Sequence, residues 1–356
     1  MGKYMGKNIF LFLGAFCFLI ILISGCLSAP PVFNSSISGA DGNNSTTMIM
    51  GTSQPKITWT QATASAAFPA RLYHTSIVYD DRMWVIGGEG DNVGMLNDVW
   101  YSTDGINWIE ANASAAFPGR MFHTTVVYDN RMWVMGGWVL GKCSNDVWYS
   151  SNGIIWTEAN ASAAFPGRCG ATSLVFDNKM WIIGGNVKNM SYPGNSNDVW
   201  YSSDGSIWTK ATDSAAFPGR MFHTSVVYDN RMWVIGGENT KGGTLHDVWY
   251  SSDGVRWIEA NESAGFRPRI EFTSVAYDNR MWIAGGNQFG NFMNDVWYST
   301  DGIIWNQADS GITDTSKFEP RSGHTSVVFN NTMWVIGGFM HEGPGGIMLN
   351  DTWYSG

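Results

Sequence analysis

Paired glycines recur at Gly87-Gly88, Gly136-Gly137, Gly184-Gly185, Gly236-Gly237, Gly285-Gly286 and Gly337-Gly338, at steps of 49, 48, 52, 49 and 52 residues. Whole phrases repeat with them: RMFHTTVVYDNRMWVMGG at 120–137 and RMFHTSVVYDNRMWVIGG at 220–237 differ at two of eighteen positions. A period in this range marks one supersecondary unit stacked on copies of itself. A chain of 356 residues therefore reads as one repeat architecture rather than two or three ordinary domains.

Each unit reads as four antiparallel strands. In HTTVVYDNRMWV a β-branched run meets a two-residue polar break and a second apolar run, the pattern of a hairpin closed at Asp129-Asn130. The equivalent breaks are Asp80-Asp81, Asp177-Asn178, Asp229-Asn230, Asp278-Asn279 and Asn330-Asn331, all residue types that tolerate positive φ. After the glycine pair come a polar loop, a third strand such as DVWYS from Asp98, a turn at 103–105 and a fourth strand ending at Trp108. Four-stranded units repeated around an axis make a β-propeller, whose sheets need apolar residues on both faces; an aromatic content of 14%, with 19 Trp, supplies them.

These residues resemble the kelch repeat: paired glycines, then Tyr101 and Trp108 seven apart, with equivalents Tyr149/Trp156, Tyr201/Trp208, Tyr250/Trp257 and Tyr298/Trp305. The resemblance covers residues 57–356 and implies an all-β fold, a six-bladed β-propeller of four-stranded antiparallel blades. STDGINW is also similar to the Asp-box hairpin of sialidases, but it is one residue short between Asp104 and the tryptophan and reads as a turn. The last unit stops at NDTWYSG without its fourth strand, while the repeat region opens with ITWTQATASAAFPAR, which matches the end of every other unit. The N-terminal strand should therefore complete the sixth blade, with Trp59 in the place that Trp108 takes in its own, and leave no exposed edge.

The first 25 residues differ. Lys3 and Lys7 precede an apolar run from Ile9 to Ile23, the length of a signal peptide core and short for a membrane span. The run ends in ISGCLS, which resembles the lipobox of prokaryotic lipoproteins and makes Cys26 the lipidated residue. Residues 26–56, rich in Ser, Asn, Gly and Pro without an apolar period, read as a flexible tether. Removing the leader takes away two lysines and no acid, so a formal charge of −9 becomes −11, which disfavours nucleic acid and anionic headgroups as partners. The protein is expected at the cell surface, extracytoplasmic, monomeric, and bound to membrane only through its lipid. Export also makes a disulfide between Cys143 and Cys169 plausible. Asn112, Asn160, Asn261 and Asn350 are among nine Asn-x-Ser/Thr sequons.

Function is read where the repeat varies. From the arginine before each first strand to the first paired glycine is 16 residues in all six units, whereas from that glycine to the third-strand tryptophan is 13, 12, 16, 13, 12 and 16. The connection between blades is 12 residues five times and 16 once, where GITDTSKFEPR ends at Arg321. Strand alternation puts both loops on one face, and variable loops on a fixed scaffold are where binding resides.

Arg71, Arg120, Arg168, Arg220, Arg269 and Arg321 share one position on that face, with His74, His123, His223 and His324 three residues later. They form either a cationic ring for a carboxylate or sulfate, or a set of structural bonds to carbonyls and acids between blades. The histidines are spread around the ring, so no metal or other cofactor is expected. Residues that break the pattern are better specificity candidates: Glu271 stands where Phe122 and Phe222 stand, Arg267, Glu319, His246 and His341 have no counterpart, and Trp138, Tyr192, Phe289, Phe292 and Phe339 populate the variable loops. Exposed aromatics beside polar groups suit sugar faces or peptide side chains. The expected function is a binding module for a glycan or protein. The resemblance also implies enzymatic alternatives, a sialic acid epimerase first and a sialidase or galactose oxidase after it; a structural surface-layer component is a third reading.

Overall fold

The computed structural model describes residues 55–308, 317–342 and 345–356. The leader, Cys26, the tether as far as residue 54, and part of the long connection before Arg321 lie outside them. The described residues form six four-stranded antiparallel blades of a β-propeller and contain no helix. In the first blade the strands, from axis to rim, are Thr75–Tyr79, Arg82–Gly90, Gly94–Ser102 and Ile109–Asn112. The outer strand thus begins after Trp108 rather than ending there, because Trp108 closes the turn by donating Nε1 to Gly105 O and buries its ring between blades. The inner strands of successive blades adjoin one another in a closed circuit around the axis.

Local chemistry fixes the hairpins. Both residues of every Asp/Asn break between the first two strands lie at φ between 47 and 57°, the left-handed pair that a two-residue turn needs to match strand twist. The turn between third and outer strands uses the other available solution. Asp104 Oδ1 accepts from the amides of Ile106 and Asn107, both at 2.8 Å, and Gly105 sits at φ 74°. A Cβ on Gly105 would lie 2.1 Å from the Trp334 ring of the neighbouring blade, so the glycine is required both by its backbone conformation and by that packing.

The period of two in the second strand then distributes the core. Met83 and Val85 point into the cluster shared with the sixth blade, Trp84 and Ile86 into the cluster shared with the second. Each of the six apolar clusters lies between two adjacent blades, so every blade is buried on both faces. Each also contains an edge-to-face phenylalanine–tryptophan pair, such as Phe117 with Trp156 at 5.0 Å and 90°.

The ring closes as the repeat implies. Trp59–Thr63 pairs with Ile347–Ser355 in the register Trp59↔Ser355, Thr60↔Tyr354, Gln61↔Trp353, and carries a bulge between Gln61 and Thr63 like that opposite Val99/Trp100 in the first blade. Trp59 meets Phe318 edge to face at 5.1 Å, the equivalent of Phe68 with Trp108. The chain returns from this strand through Ala66 and Phe68, which pack into the next interface.

Asn112, Asn160 and Asn261 each donate Nδ2 to a carbonyl of the following blade, of Ile154, Ser206 and Ile303 respectively. Their shared repeat position thus has a structural use.

Trp59→Ala should cost ~3–5 kcal/mol of unfolding free energy, the usual cost of removing a buried tryptophan. Hydrogen exchange should loosen Ile347–Ser355 and the adjoining Val327–Val335 before any strand of the first blade. Unchanged protection there, with the first blade loosened instead, would contradict this closure.

Candidate functional site

The arginines before the inner strands organise the variable-loop face from beneath it. Arg120 donates Nη1 and Nη2 to the two carboxylate oxygens of Asp146 at 3.0 and 2.6 Å, a further bond to the Gly136 carbonyl at 2.8 Å, and Nε to Pro118 O at 3.2 Å. The same fork joins Arg71 to Asp98, Arg168 to Asp198, Arg220 to Asp247, Arg269 to Asp295 and Arg321 to Asp351. These guanidinium groups are 0–2% exposed. The acid belongs to the same blade as its arginine; it does not bridge two blades. Neighbouring blades are joined through the backbone of the same residue, where Arg120 N donates to Leu96 O and Gly88 N donates to Arg120 O.

Two residues after each arginine the chain reaches the axis. Tyr73, Phe122, Gly170, Phe222, Glu271 and Gly323 all adopt φ between 55 and 63°. Their amides and carbonyls make a closed circuit: Phe122 N donates to Tyr73 O, Gly170 to Phe122, Phe222 to Gly170, Glu271 to Phe222, Gly323 to Glu271 and Tyr73 to Gly323, at 2.9–3.3 Å. The side chains of this ring and of the residues that follow it line an axial cavity of about 160 Å³.

Its walls are unequal. Phe122 packs on Tyr73 at 4.1 Å between centroids and on Phe222 at 4.9 Å. Glycine makes this possible, since a Cβ at Gly170 would come within 2.9 Å of the Phe222 ring and one at Gly323 within 2.9 Å of Tyr73. On the other side Glu271 accepts from Tyr73 Oη at 3.0 Å through Oε1 and from Ser322 Oγ at 2.9 Å through Oε2. Burial pushes the Glu271 carboxyl above its usual range, the two donated bonds pull it back, and the Glu238 charge pushes it further up. Burial and then the Glu271 charge hold the Tyr73 phenol well above its ordinary value, so it stays a donor at neutral pH.

Beneath lies a stitched layer. His123 Nε2 lies 3.0 Å from Thr75 Oγ1 of the preceding blade, and His74, His223 and His324 repeat this with Thr325, Thr172 and Thr273 at 3.0, 2.9 and 3.4 Å. The buried Nδ1 atoms lack a partner in hydrogen-bonding geometry; near His74, His123 and His324 the backbone of Ile336, Ile86 and Ala284 favours the protonated ring without reaching that geometry. Burial, then the adjacent Arg120, Arg220 and Arg321, lower His123, His223 and His324 to about 3, and the same causes depress His74. All four are neutral at physiological pH. Among the described residues no three His, Cys, Asp or Glu side chains converge as metal ligands do.

Residues 36–214 and 170–355 match the family model described as the KLHDC2/KLHL20/DRC7 Kelch-repeats domain. The chain belongs to the kelch-repeat family. The solved structure of YjhT is similar to it, with a TM-score of 0.63 at 17% identity over 82% of this chain and 96% of that one, a likeness of fold. No curated protein matches it.

On this kelch propeller the residues proposed from sequence separate into groups. Arg71, Arg120 and Arg220 lie beneath the cavity with every guanidinium nitrogen engaged by an aspartate or a carbonyl. Glu271 is in the cavity. Trp138 is half-buried and pairs with Cys143 across a two-residue hairpin. Phe339 packs on Phe292 at 5.7 Å, and His341 lies 6.2 Å from Phe292, making a second aromatic cluster on the loops of the last two blades. Tyr192 and Phe289 are 49% and 62% exposed; burial and then the nearby Glu238 push the Tyr192 phenol above its ordinary value.

Arg267 and Glu319 stand where other blades have proline, their side chains exposed and their carbonyls accepting from Arg269 and Arg321. His246 takes the part of Asn97, bonding the linker at Phe266 O (3.1 Å) as Asn97 bonds Phe117 O. Cys143 and Cys169 are joined by a disulfide with Cα atoms 5.4 Å apart, one residue before Gly170 of the axial ring. Tyr73 and Ser322 escaped the sequence reading, although Ser322 is polar where the other repeats carry Leu72, Met121, Cys169, Met221 and Ile270.

The histidine layer sets a pH dependence. A histidine whose folded value is lowered from 6.5 to about 3 binds its proton only in the unfolded chain between those limits, so stability is full above pH ~6.5 and falls as pH drops toward 3. Each such residue adds a slope approaching ~1.4 kcal/mol per pH unit, while the raised carboxyls of Glu89, Glu238 and Glu271 oppose it. Urea unfolding followed over this range should show His223→Gln reducing the slope by about one proton; an unchanged slope would mean that His223 is protonated in the folded state.

Proposed function

We propose that this protein is a lipid-anchored, extracytoplasmic binding module that takes a sugar residue of a glycan into the axial cavity on its variable-loop face. One observation carries the reading: a cavity of about 160 Å³, the scale of a single sugar ring, is lined by the packed rings of Tyr73, Phe122 and Phe222 together with the carboxylate of Glu271. Aromatic faces take the C–H face of a sugar, and a carboxylate with free lone pairs takes its hydroxyls. An anionic ligand is disfavoured, because the six nearby guanidinium groups are buried in pairs with aspartates. The surface location rests on the charged apolar leader, on ISGC, and on the Cys143–Cys169 disulfide, which suits an oxidising compartment.

An enzymatic second reading is favoured by the 3.0 Å contact of Tyr73 with Glu271, whose upward-shifted carboxyl could exchange a proton with a bound sugar. Such an enzyme would not act on an anionic sugar, since among the described residues the lining of the cavity offers a sialic acid carboxylate no free cation. A galactose oxidase chemistry is disfavoured by the two cysteines of the described region, which are bonded to each other.

Residues 27–356, produced without leader and anchor, should retain glycans on an array. Glu271→Ala or Phe122→Ala should weaken binding by ~1–3 kcal/mol with a nearly unchanged melting temperature, and Trp138→Ala or Phe339→Ala should do so if the glycan extends onto the loops. Arg120→Ala should instead cost ~3–5 kcal/mol of stability, because it leaves Asp146 buried and unpaired. Normal binding by both cavity variants would remove the site assignment. Mass spectrometry of the native N-terminus should find cleavage before a lipid-bearing Cys26, and an unmodified Cys26 in membrane fractions would remove the anchor.

A further inference from the structure

Charge at the mouth of the cavity is one-sided. Beneath it each repeat arginine is matched by an aspartate within 2.6–2.9 Å. At the mouth the reverse holds. Glu271 is held by two neutral hydroxyls, of Tyr73 and Ser322, and among the described residues it is in no ion pair. Each of its oxygens keeps acceptor capacity after those bonds. The same lining includes Phe122 and Phe222, and aromatic rings attract cations as well as C–H groups. The floor adds four neutral imidazoles and no positive charge. Glu238 lies near enough for its charge to act on Glu271.

We infer that the sugar this cavity selects carries a protonated primary amine: a hexosamine with a free amino group, held between the Glu271 carboxylate and the faces of Phe122 and Phe222. The inference rests on the sugar-binding reading above and adds to it the charge of the ligand. An ammonium supplies three donors at one point, which suits a carboxylate whose orientation is already fixed by Tyr73 and Ser322. An N-acetylated amine loses that charge, and a uronate brings a second carboxylate to Glu271 without a cation to offset the repulsion.

The test is titration calorimetry of residues 27–356 with hexosamine, N-acetylhexosamine, parent hexose and hexuronate in the gluco, galacto and manno series. In at least one series the hexosamine should bind roughly tenfold tighter than its N-acetyl form, the gain expected of one charge-assisted contact in a desolvated site, and the hexuronate should bind weakest. Glu271→Gln keeps the shape of the side chain and should abolish the preference, lowering hexosamine affinity roughly tenfold further than it lowers hexose affinity. If that variant melts at a lower temperature, Phe222→Leu is the second probe: it keeps the carboxylate, removes one aromatic face, and should lower hexosamine affinity more than hexose affinity. A cavity that binds neutral sugars or hexuronates as tightly as hexosamines overturns this inference and leaves the sugar-binding reading standing. Failure of every sugar to bind removes both.

Discussion

The fold depends on what one arginine per repeat does with both its backbone and its side chain. The amide and carbonyl of Arg120 bond the preceding blade at Leu96 and Gly88, and its guanidinium clamps its own blade at Asp146 and Gly136. A residue serving two blades at once fixes the angle between them. A buried pair of this kind earns little net stability over an apolar pair of the same size, but its bidentate geometry admits few alternatives. The clamp also explains why the loops are free to vary. Arginine and aspartate are 26, 27 or 30 residues apart according to blade, yet the fork closes in each.

From that clamp follows the site. Two residues beyond each arginine, the left-handed backbone and the circuit of amide bonds leave only the side chain open to change. The chain writes Tyr, Phe, Gly, Phe, Glu and Gly at these six positions. Two glycines give their neighbours' rings room to lean over the axis, and one carboxylate interrupts the aromatic arc. Pseudo-symmetry is thus kept in the backbone and broken in the side chains, which lets a ring of like units orient an asymmetric ligand. The circuit has an electrostatic corollary: its peptide dipoles run head to tail around the axis and largely cancel, so the side chains decide the charge of the mouth.

Much of this was legible in the sequence. The hairpin breaks, the glycine pairs and the tryptophan spacings are local signals, and each corresponds to a turn, a close approach or an interblade contact. The orphan ITWTQAT and the truncated last unit give the closing strand by complementarity. The arginines were harder to read, because their partner Asp98 and its equivalents stand 26–30 residues away and look like nothing more than the first residue of a strand. His246 shows the opposite failure. It breaks the repeat, yet it does the work of the asparagine it replaces. Glu271 was visible as an exception at its position, whereas Tyr73 hid among phenylalanines, differing from them by the one hydroxyl that gives it a role.

The closing strand has a kinetic meaning. Thr58 meets Gly356 across 298 residues, so the first part of the propeller to leave the ribosome is the last to find its place. Bringing such ends together costs about 5 kcal/mol in chain entropy, and this can be repaid only once the last blade exists. Until then two interfaces wait on one segment: the pocket between the fifth and sixth blades lacks Ile57 and Trp59, and the one between the sixth and first lacks Ala66 and Phe68. A chain still being made therefore holds an open, adhesive edge at Ile347–Ser355 only for the interval between its end and its closure, and that interval is when it is most prone to pair with a second copy.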